Sequence, residues 1–544
     1  MDATTHTNGS YLSKTGGKGG IRSWIFSTDH KRIGLLYFAS LAVFFSVGVV
    51  FGLLMRLELI APGPTITDAQ TYNSFFTVHG VIMIFLFVVP GLPAIFGNFF
   101  LPLMIGAKDV AFPRLNLLSW WLYLAGGLIA LASVVMPGGA ADTGWTFYIP
   151  YSVRSNTNVI PALIAAFILG FSSILTGVNF ITTVHRMRAP GQTFFKMPLF
   201  VWALYSTGWI QLLATPIIGI TLVMVGVERL LSVGIFDPSL GGDPVLYQHL
   251  FWIYSHPAVY IMILPAMGVI SEVIPVFARR TIFGYNFIAY SSLAIAIFGS
   301  LVWAHHMFTA GMSGVAAIAF SAFTFLVAIP SAVKVFNWVA TLYKGSITLE
   351  PPMLFALGFI FHFLIGGFTG LVQGALSVNL HIHDTYFIVG HFHYVMFGGM
   401  GFGFLAATHF WFPKMFGKMY NHKRAAVGFW TLVVGFNTLY FPMFVMGWLG
   451  MPRRYYDYLP EFHTYHFIST VGSWIVALAL LIILVNLILG LAKGERVREK
   501  NPWGGETLEW RADTPPIHEN WEEIPVVTGG PYDYKRNDEN ESTT

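Results

Sequence analysis

Two histidines, His391 and His393, stand two residues apart in the stretch His381-Ile-His383-Asp384-Thr-Tyr-Phe-Ile-Val-Gly-His391-Phe-His393-Tyr394, which opens an apolar run to about Ala407. At 3.6 residues per turn they point about 200° apart around a helix axis. They cannot share one ion. Neutral imidazole is a strong axial ligand for haem iron, so a helix with one such ligand on each side can be flanked by two haems. Their partner ligands must lie on other segments.

Three such segments are visible. Leu246-Tyr-Gln-His249-Leu-Phe-Trp-Ile-Tyr254-Ser255-His256-Pro257-Ala258-Val259-Tyr260 puts His256 and Tyr260 four apart, so in a helix their side chains share a face. Pro257 frees a backbone carbonyl and can bend that helix. In Trp303-Ala-His305-His306-Met-Phe-Thr the adjacent histidines lie about 100° apart on a helical wheel and converge only on an ion between their directions. With His256 they make three imidazoles, a set suited to copper or zinc with an open position. His79, in Phe75-Phe-Thr-Val-His79-Gly80, stands alone; a single intramembrane histidine usually packs, but an unpartnered iron ligand already exists elsewhere.

The elements that must position these groups are membrane spans. The 544 residues are 55% hydrophobic and 10% charged, with a mean hydropathy of +0.64, which excludes a soluble globule of ordinary composition. A span needs about 20 apolar residues. Twelve candidates lie near 33–55, 76–100, 115–136, 158–183, 198–226, 247–277, 284–310, 316–342, 352–374, 384–411, 425–450 and 466–493. The expectation is an all-α polytopic membrane protein: an N-terminal segment over 1–32, a twelve-helix domain over 33–494 and a C-terminal tail over 495–544. The first 32 residues are polar and show no small-residue cleavage site, which argues against a signal peptide.

Lys14, Lys18, Arg22, Lys31 and Arg32 precede the first span, and twelve more Lys and Arg fall in loops on that side, against five on the other (Arg56, Arg154, Arg229, Arg453, Arg454). The positive-inside bias puts both termini in the cytoplasm or matrix. This asymmetry accounts for the net charge of +4, and no nucleic-acid footprint remains. There is no cysteine, which excludes disulfides, iron–sulfur clusters, covalent c-type haem and any thiolate copper site within this chain.

Other polar groups sit where lipid makes them expensive. Lys334, with Ser331 one turn back, lies ten residues before Lys344, too deep for easy snorkelling, and reads as part of a proton path. Asp109 lies between spans two and three, with Asn98 and Asn116 entering the apolar region beside it; offsetting Lys108 and Arg114 is its ordinary alternative. Arg56 and Glu58 close the first span as an interfacial pair would. Arg453 and Arg454 offer guanidinium forks that fit carboxylates, including haem propionates, or form an exposed basic turn.

From about Trp24 to Val527 the chain resembles subunit I of the haem–copper terminal oxidases, most closely the cytochrome c oxidases. The likeness rests on Thr77-Val-His-Gly, Gly106-Ala-Lys-Asp-Val-Ala-Phe-Pro-Arg, His256-Pro-Ala-Val-Tyr, His305-His-Met-Phe-Thr, His383-Asp-Thr-Tyr-Phe…His391-Phe-His-Tyr and Met451-Pro-Arg-Arg-Tyr. The resemblance implies respiratory reduction of dioxygen to water, coupled to proton pumping, in a bacterial cytoplasmic membrane. It implies two haems of the a type: a low-spin one on His79 and His393 and a high-spin one on His391. Copper would lie on His256, His305 and His306, with Tyr260 joined covalently to His256. It further implies Arg56, Trp145, Arg453 and Arg454 around the haems, Arg56 at the formyl group of haem a and the two later arginines at propionates. Magnesium or manganese would bind His383 and Asp384 near subunit II, and calcium or sodium Glu58. The expected partners are a subunit II with a thiolate copper site, a subunit III and others, and cytochrome c or an attached cytochrome domain as donor.

Two proton routes come with the resemblance, one through Lys334, Ser331 and Tyr260 and one entered at Asp109, Asn98 and Asn116. The second usually ends at a glutamate two residues after the histidine of span six, where this chain has Ala258. Tyr254, one turn back on the same face with Ser255 beside it, resembles the Tyr-Ser replacement of a subset of relatives. Quinol oxidases of the family place histidine and glutamine where this chain has Thr71 and Ser74, which favours cytochrome c as donor. Nitric oxide reductases share the six histidines but usually lack counterparts of Tyr260 and Lys334. A cofactor-free transporter using histidines as proton carriers is the rival of a different class.

Overall fold

The computed structural model describes residues 9–13 and 20–534; Lys14 and Lys18 of the N-terminal charge count lie outside them. Among the described residues, eleven helices are long and apolar enough to cross a membrane: α1 His30–Glu58, α2 Ala69–Met104, α3 Pro113–Val135, α4 Val159–Arg186, α5 Leu199–Leu231 and α6 Pro244–Ala278, then α8 Gly314–Leu342, α9 Pro351–Gly374, α10 Tyr386–Phe416, α11 His422–Trp448 and α12 Pro460–Lys493. The seventh expected span is different. Its helix, α7, covers only Tyr285–Gly299, 15 residues, or about 22 Å at 1.5 Å per residue, short of the roughly 30 Å of hydrocarbon. Beyond Ser300 the chain tightens into a 3-10 turn over Trp303–Met307. His305 and His306 are therefore about 120° apart, at three residues per turn, rather than 100°. Gly299 lets the end of the helix pack closely on α6, because a Cβ at that position would collide with the Tyr260 ring.

Burial sorts the spans. The most apolar window of α6 is wholly enclosed, and α2 and α10 are nearly so, whereas α1, α8 and α12 turn most of theirs outward, as helices facing lipid must. The three enclosed helices carry His79, His256, and the pair His391 and His393. Each is also irregular: α6 contains Pro257, Pro265 and Pro275, α2 passes through π-helical turns at Ile82–Val88 and Gly91–Gly97, and α10 through one at Met396–Gly401. Such turns re-aim side chains and often mark functional sites.

Both terminal segments meet on one face of the bundle, where Ser10 bridges to Ile517 and the Tyr11 amide donates to Pro516 O. The described part of the tail packs back onto the spans. Trp503 Nε1 donates to Phe410 O, and Asn520 bonds His30, Lys31 and Ala107 O.

Candidate haem and copper centres

One cavity of about 870 Å³ is lined by all six intramembrane histidines singled out by their spacing, together with Tyr260, Arg56, Trp145, Arg453 and Arg454. His256, His305 and His306 place one ring nitrogen each within 4.8 Å of the others, the only such group among the described residues. His256 Nδ1 faces His306 Nε2 at 3.0 Å. Two neutral imidazoles turned lone pair to lone pair repel unless a proton or a cation lies between them, so the donor set fits a nitrogen-preferring ion such as copper. Trp252 stacks on His306 at 3.8 Å, and the Tyr260 ring lies 4.9 Å from that of His256.

Hydrogen bonds fix the tautomers. Thr324 spends its proton on Phe320 O, so His305 Nδ1, 3.0 Å from Thr324 Oγ1, must be the donor there and Nε2 keeps the lone pair. Thr369 does the same: its hydroxyl donates to Ile365 O or Gly366 O and accepts from His391 Nδ1 at 3.1 Å. His79 Nδ1 donates to Gly48 O at 2.8 Å and His393 Nδ1 to Val389 O at 2.9 Å. Orienting bonds of this kind are what metal-ligating histidines make through their other nitrogen. Gly52 and Gly370 leave the space, since a Cβ at either would stand 3.1 and 3.0 Å from the rings of His79 and His391. The cavity and these nitrogen donors fit haem iron and copper.

Arg56, buried, donates to His466 O at 2.7 Å and Thr470 Oγ1 at 3.2 Å, while its Nε has no partner. Trp145 packs against Phe251 and Trp252, with Gly80 at its edge. Arg453 does not stand free. Its guanidinium grips Asp384 Oδ1 at 2.5 Å, and His383 Nε2 lies 3.7 Å from the other oxygen. Burial works against the Asp384 charge, but Arg453 and His383 outweigh it and hold the carboxyl below the usual range. Arg454 sits over the Phe76 ring at 5.8 Å, and burial, with Arg453 beside it, pulls its pKa down to about 10. Glu58 accepts from the amides of Thr65, Ile66 and Thr67, donors that hold an anion; a cation there would have to displace them.

The polar routes are partly joined. Lys334 Nζ donates to Ile288 O at 3.0 Å and Ser292 Oγ at 2.8 Å, both on α7, whereas Ser331 turns to Val327 O and lines the cavity. Asp109 is half-buried and accepts from the Val110 amide; burial raises its pKa to about 7, with Asp29 adding and Val110, Lys31 and His518 opposing. Asn98 Oδ1 and both polar atoms of Asn116 are buried without partners. Tyr254 is buried, and Ser255 Oγ beside it has no partner.

Span four, which looks chemically silent in the sequence, adds polar groups beside these: Asn179 and Thr183 accept the Phe112 and Ala111 amides beyond Asp109, and Ser172 meets Tyr37, which donates to Ser119. Lone hydroxyls in apolar helices carry no periodic or spacing signal, so only contact reveals them.

Residues 32–475 match the family described as cytochrome C and quinol oxidase polypeptide I. The chain belongs to that family, and is a catalytic subunit of a membrane-bound terminal oxidase. Its curated relatives include "Cytochrome c oxidase subunit 1" of Thermostichus vulcanus, 46% identical over 519 residues (95% of this chain, 94% of the relative). That of Cereibacter sphaeroides is 42% identical over 542 residues (93% and 96%), and that of Bacillus subtilis 41% over 510 residues (93% and 82%). Within the family the chain is thus of the cytochrome c oxidase type, an integral protein of a bacterial membrane. The fold also matches a solved heme-copper terminal oxidase dimer at a TM-score of 0.69 and 22% identity, covering 87% of this chain and 85% of that one.

Proposed function

We propose that this chain reduces dioxygen to water with electrons from cytochrome c, delivered through a thiolate copper centre on a second subunit, and moves protons across the membrane as it does so. The convergence of six imidazoles in one cavity, four of them with their tautomers fixed by hydrogen bonds, carries the reading. His79 and His393 would hold one haem iron from both faces, His391 a second, and His256, His305 and His306 copper. When bound, these metals with the Tyr260 phenol supply the electrons that oxygen reduction takes. Held by His79 and His393 together, the first haem would pass electrons rather than take oxygen, and His391, two residues from His393, would keep that transfer short.

The chain's own residues govern charge. Arg453 and Arg454 would neutralise propionates, with Arg453 shared between a propionate and Asp384. Arg56, with its free Nε, would meet the formyl group of haem a. Two side chains, His383 and Asp384, do not complete a magnesium or manganese site, so subunit II would supply the rest. Lys334 would carry protons toward Tyr260, and Asp109 would admit them to the second route, with both termini on the entry side.

Asp109 must be protonated to pass a proton inward. With its pKa raised to about 7, its acid form falls tenfold per pH unit above that value, so oxygen uptake should decline through pH 7–8. Asp109→Asn should slow uptake and abolish that limb, as a pH profile of the two proteins would read. Tyr254 would relay protons, with water, in place of the missing glutamate. Tyr254→Phe should lose pumping in vesicles while retaining oxygen uptake; unchanged pumping would refute the relay.

Haem and metal analysis of the purified complex, coupled to oxygen uptake with reduced cytochrome c against quinol, tests the whole reading. Two haems, copper beyond what the second subunit's thiolate centre holds, and a preference for cytochrome c are expected. A reduced-minus-oxidised spectrum without haem bands would leave the histidine-based transporter.

A further inference from the structure

We infer that His362 positions His393 through a hydrogen-bond line that crosses three spans and can run in only one direction. His362, in α9, is fully buried, and its Nδ1 lies 2.7 Å from Gly358 O. A carbonyl only accepts, so Nδ1 carries the proton and Nε2 must be an acceptor. Asn437 of α11 supplies the donor: its Nδ2 gives one hydrogen to His362 Nε2 at 3.0 Å and one to Val433 O at 2.8 Å. That fixes the amide and leaves Oδ1 to accept from the fully buried Tyr394 hydroxyl of α10 at 2.6 Å. Every joint is satisfied. In a low-dielectric interior such a network is stiff, and removing one member strands the next.

The line acts at a place where α10 needs an external hold. Tyr394 directly follows His393, and two residues further the helix enters its π turn at Met396–Gly401, where the ordinary four-residue ladder no longer sets its rotation. There α9 and α10 touch: a Cβ on Gly398 would lie 2.8 Å from His362 Cβ. Meanwhile α11 presents Tyr440, three residues after Asn437, flat against the His393 imidazole, with centroids 4.2 Å apart and planes 17° apart. With the bond to Val389 O and the tilted contact with Phe392 at 4.4 Å, that stack holds the ring, and it is the hold that comes from another helix. The register of α11 against α10, set by Asn437 between His362 and Tyr394, therefore sets the plane of the His393 ring. His362 is a positioning residue.

This assignment rests on His393 being an axial iron ligand. The test uses the purified holoenzyme with Tyr394→Phe, His362→Leu and the double variant, reading the low-spin haem band, its midpoint potential, and haem and copper content. Both single variants should shift the band and the potential with metal content unchanged. The double variant should shift them no further than the larger single one, because the line is already cut. Should His362→Leu fail to assemble, Tyr394→Phe, which removes one oxygen from a packed ring, decides alone. An unmoved band and potential in Tyr394→Phe, or shifts that add, would overturn the inference; a missing low-spin band in the unaltered protein would overturn the axial reading instead.

Discussion

His306→Ala should yield an assembled protein that keeps its low-spin haem band, loses the copper held by this chain and no longer takes up oxygen. The side chain is one of three that place nitrogens within 4.8 Å, and it faces His256 Nδ1 at 3.0 Å. Changes to outer partners of a metal site already cost about 10–100-fold in affinity. Removing a ligand itself should cost more. Alanine also removes the surface on which Trp252 stacks at 3.8 Å, so His306→Gln, which keeps bulk and polarity, separates packing from ligation: it should assemble better and still lack this chain's copper. His79 and His393 lie elsewhere in the cavity and should be untouched, which gives the experiment its internal control. Copper retained at full occupancy in both variants, by elemental analysis, would show that these imidazoles do not form the centre.

Much of this arrangement is legible in the sequence because its cost is high. A histidine or lysine in a run of apolar residues is conspicuous, and the two-residue spacing of His391 and His393 already forbids a shared ion. The eleven long spans follow from length and hydropathy alone. What the sequence hides is of two kinds. The seventh span looks like the others by composition, but its helix stops at Gly299, packed against Tyr260, and the two histidines ride a 3-10 turn; hydropathy does not register where a helix stops inside the bilayer. The orienting groups are hidden too. Gly48, Thr324 and Thr369 are small, common residues in lipid-facing or packed helices, and their meaning lies in which ring nitrogen they meet across the bundle. Arg453 shows the reverse error of emphasis: a residue legible as a propionate holder also clamps Asp384.

Lys334→Met should leave haem and copper content intact and cut oxygen uptake by about 10²–10⁴-fold, the range in which a positioned proton carrier contributes. Methionine matches lysine closely in length, so the loss would be one of charge and proton rather than of packing. The ammonium is buried, with two acceptors, Ile288 O and Ser292 Oγ, and among the described residues no carboxylate forms an ion pair with it. A cation held that way is costly unless it does something. Both acceptors lie on α7, the helix whose Gly299 end abuts Tyr260, so the lysine and the phenol are tied to the same short element. If the lysine feeds protons to Tyr260, Ser292→Ala should weaken the hold on Nζ and slow uptake less than Lys334→Met does. Full uptake in Lys334→Met would mean that protons reach the copper site by the Asp109 route alone, and the combined Asp109→Asn and Lys334→Met variant would then be the one to stop turnover.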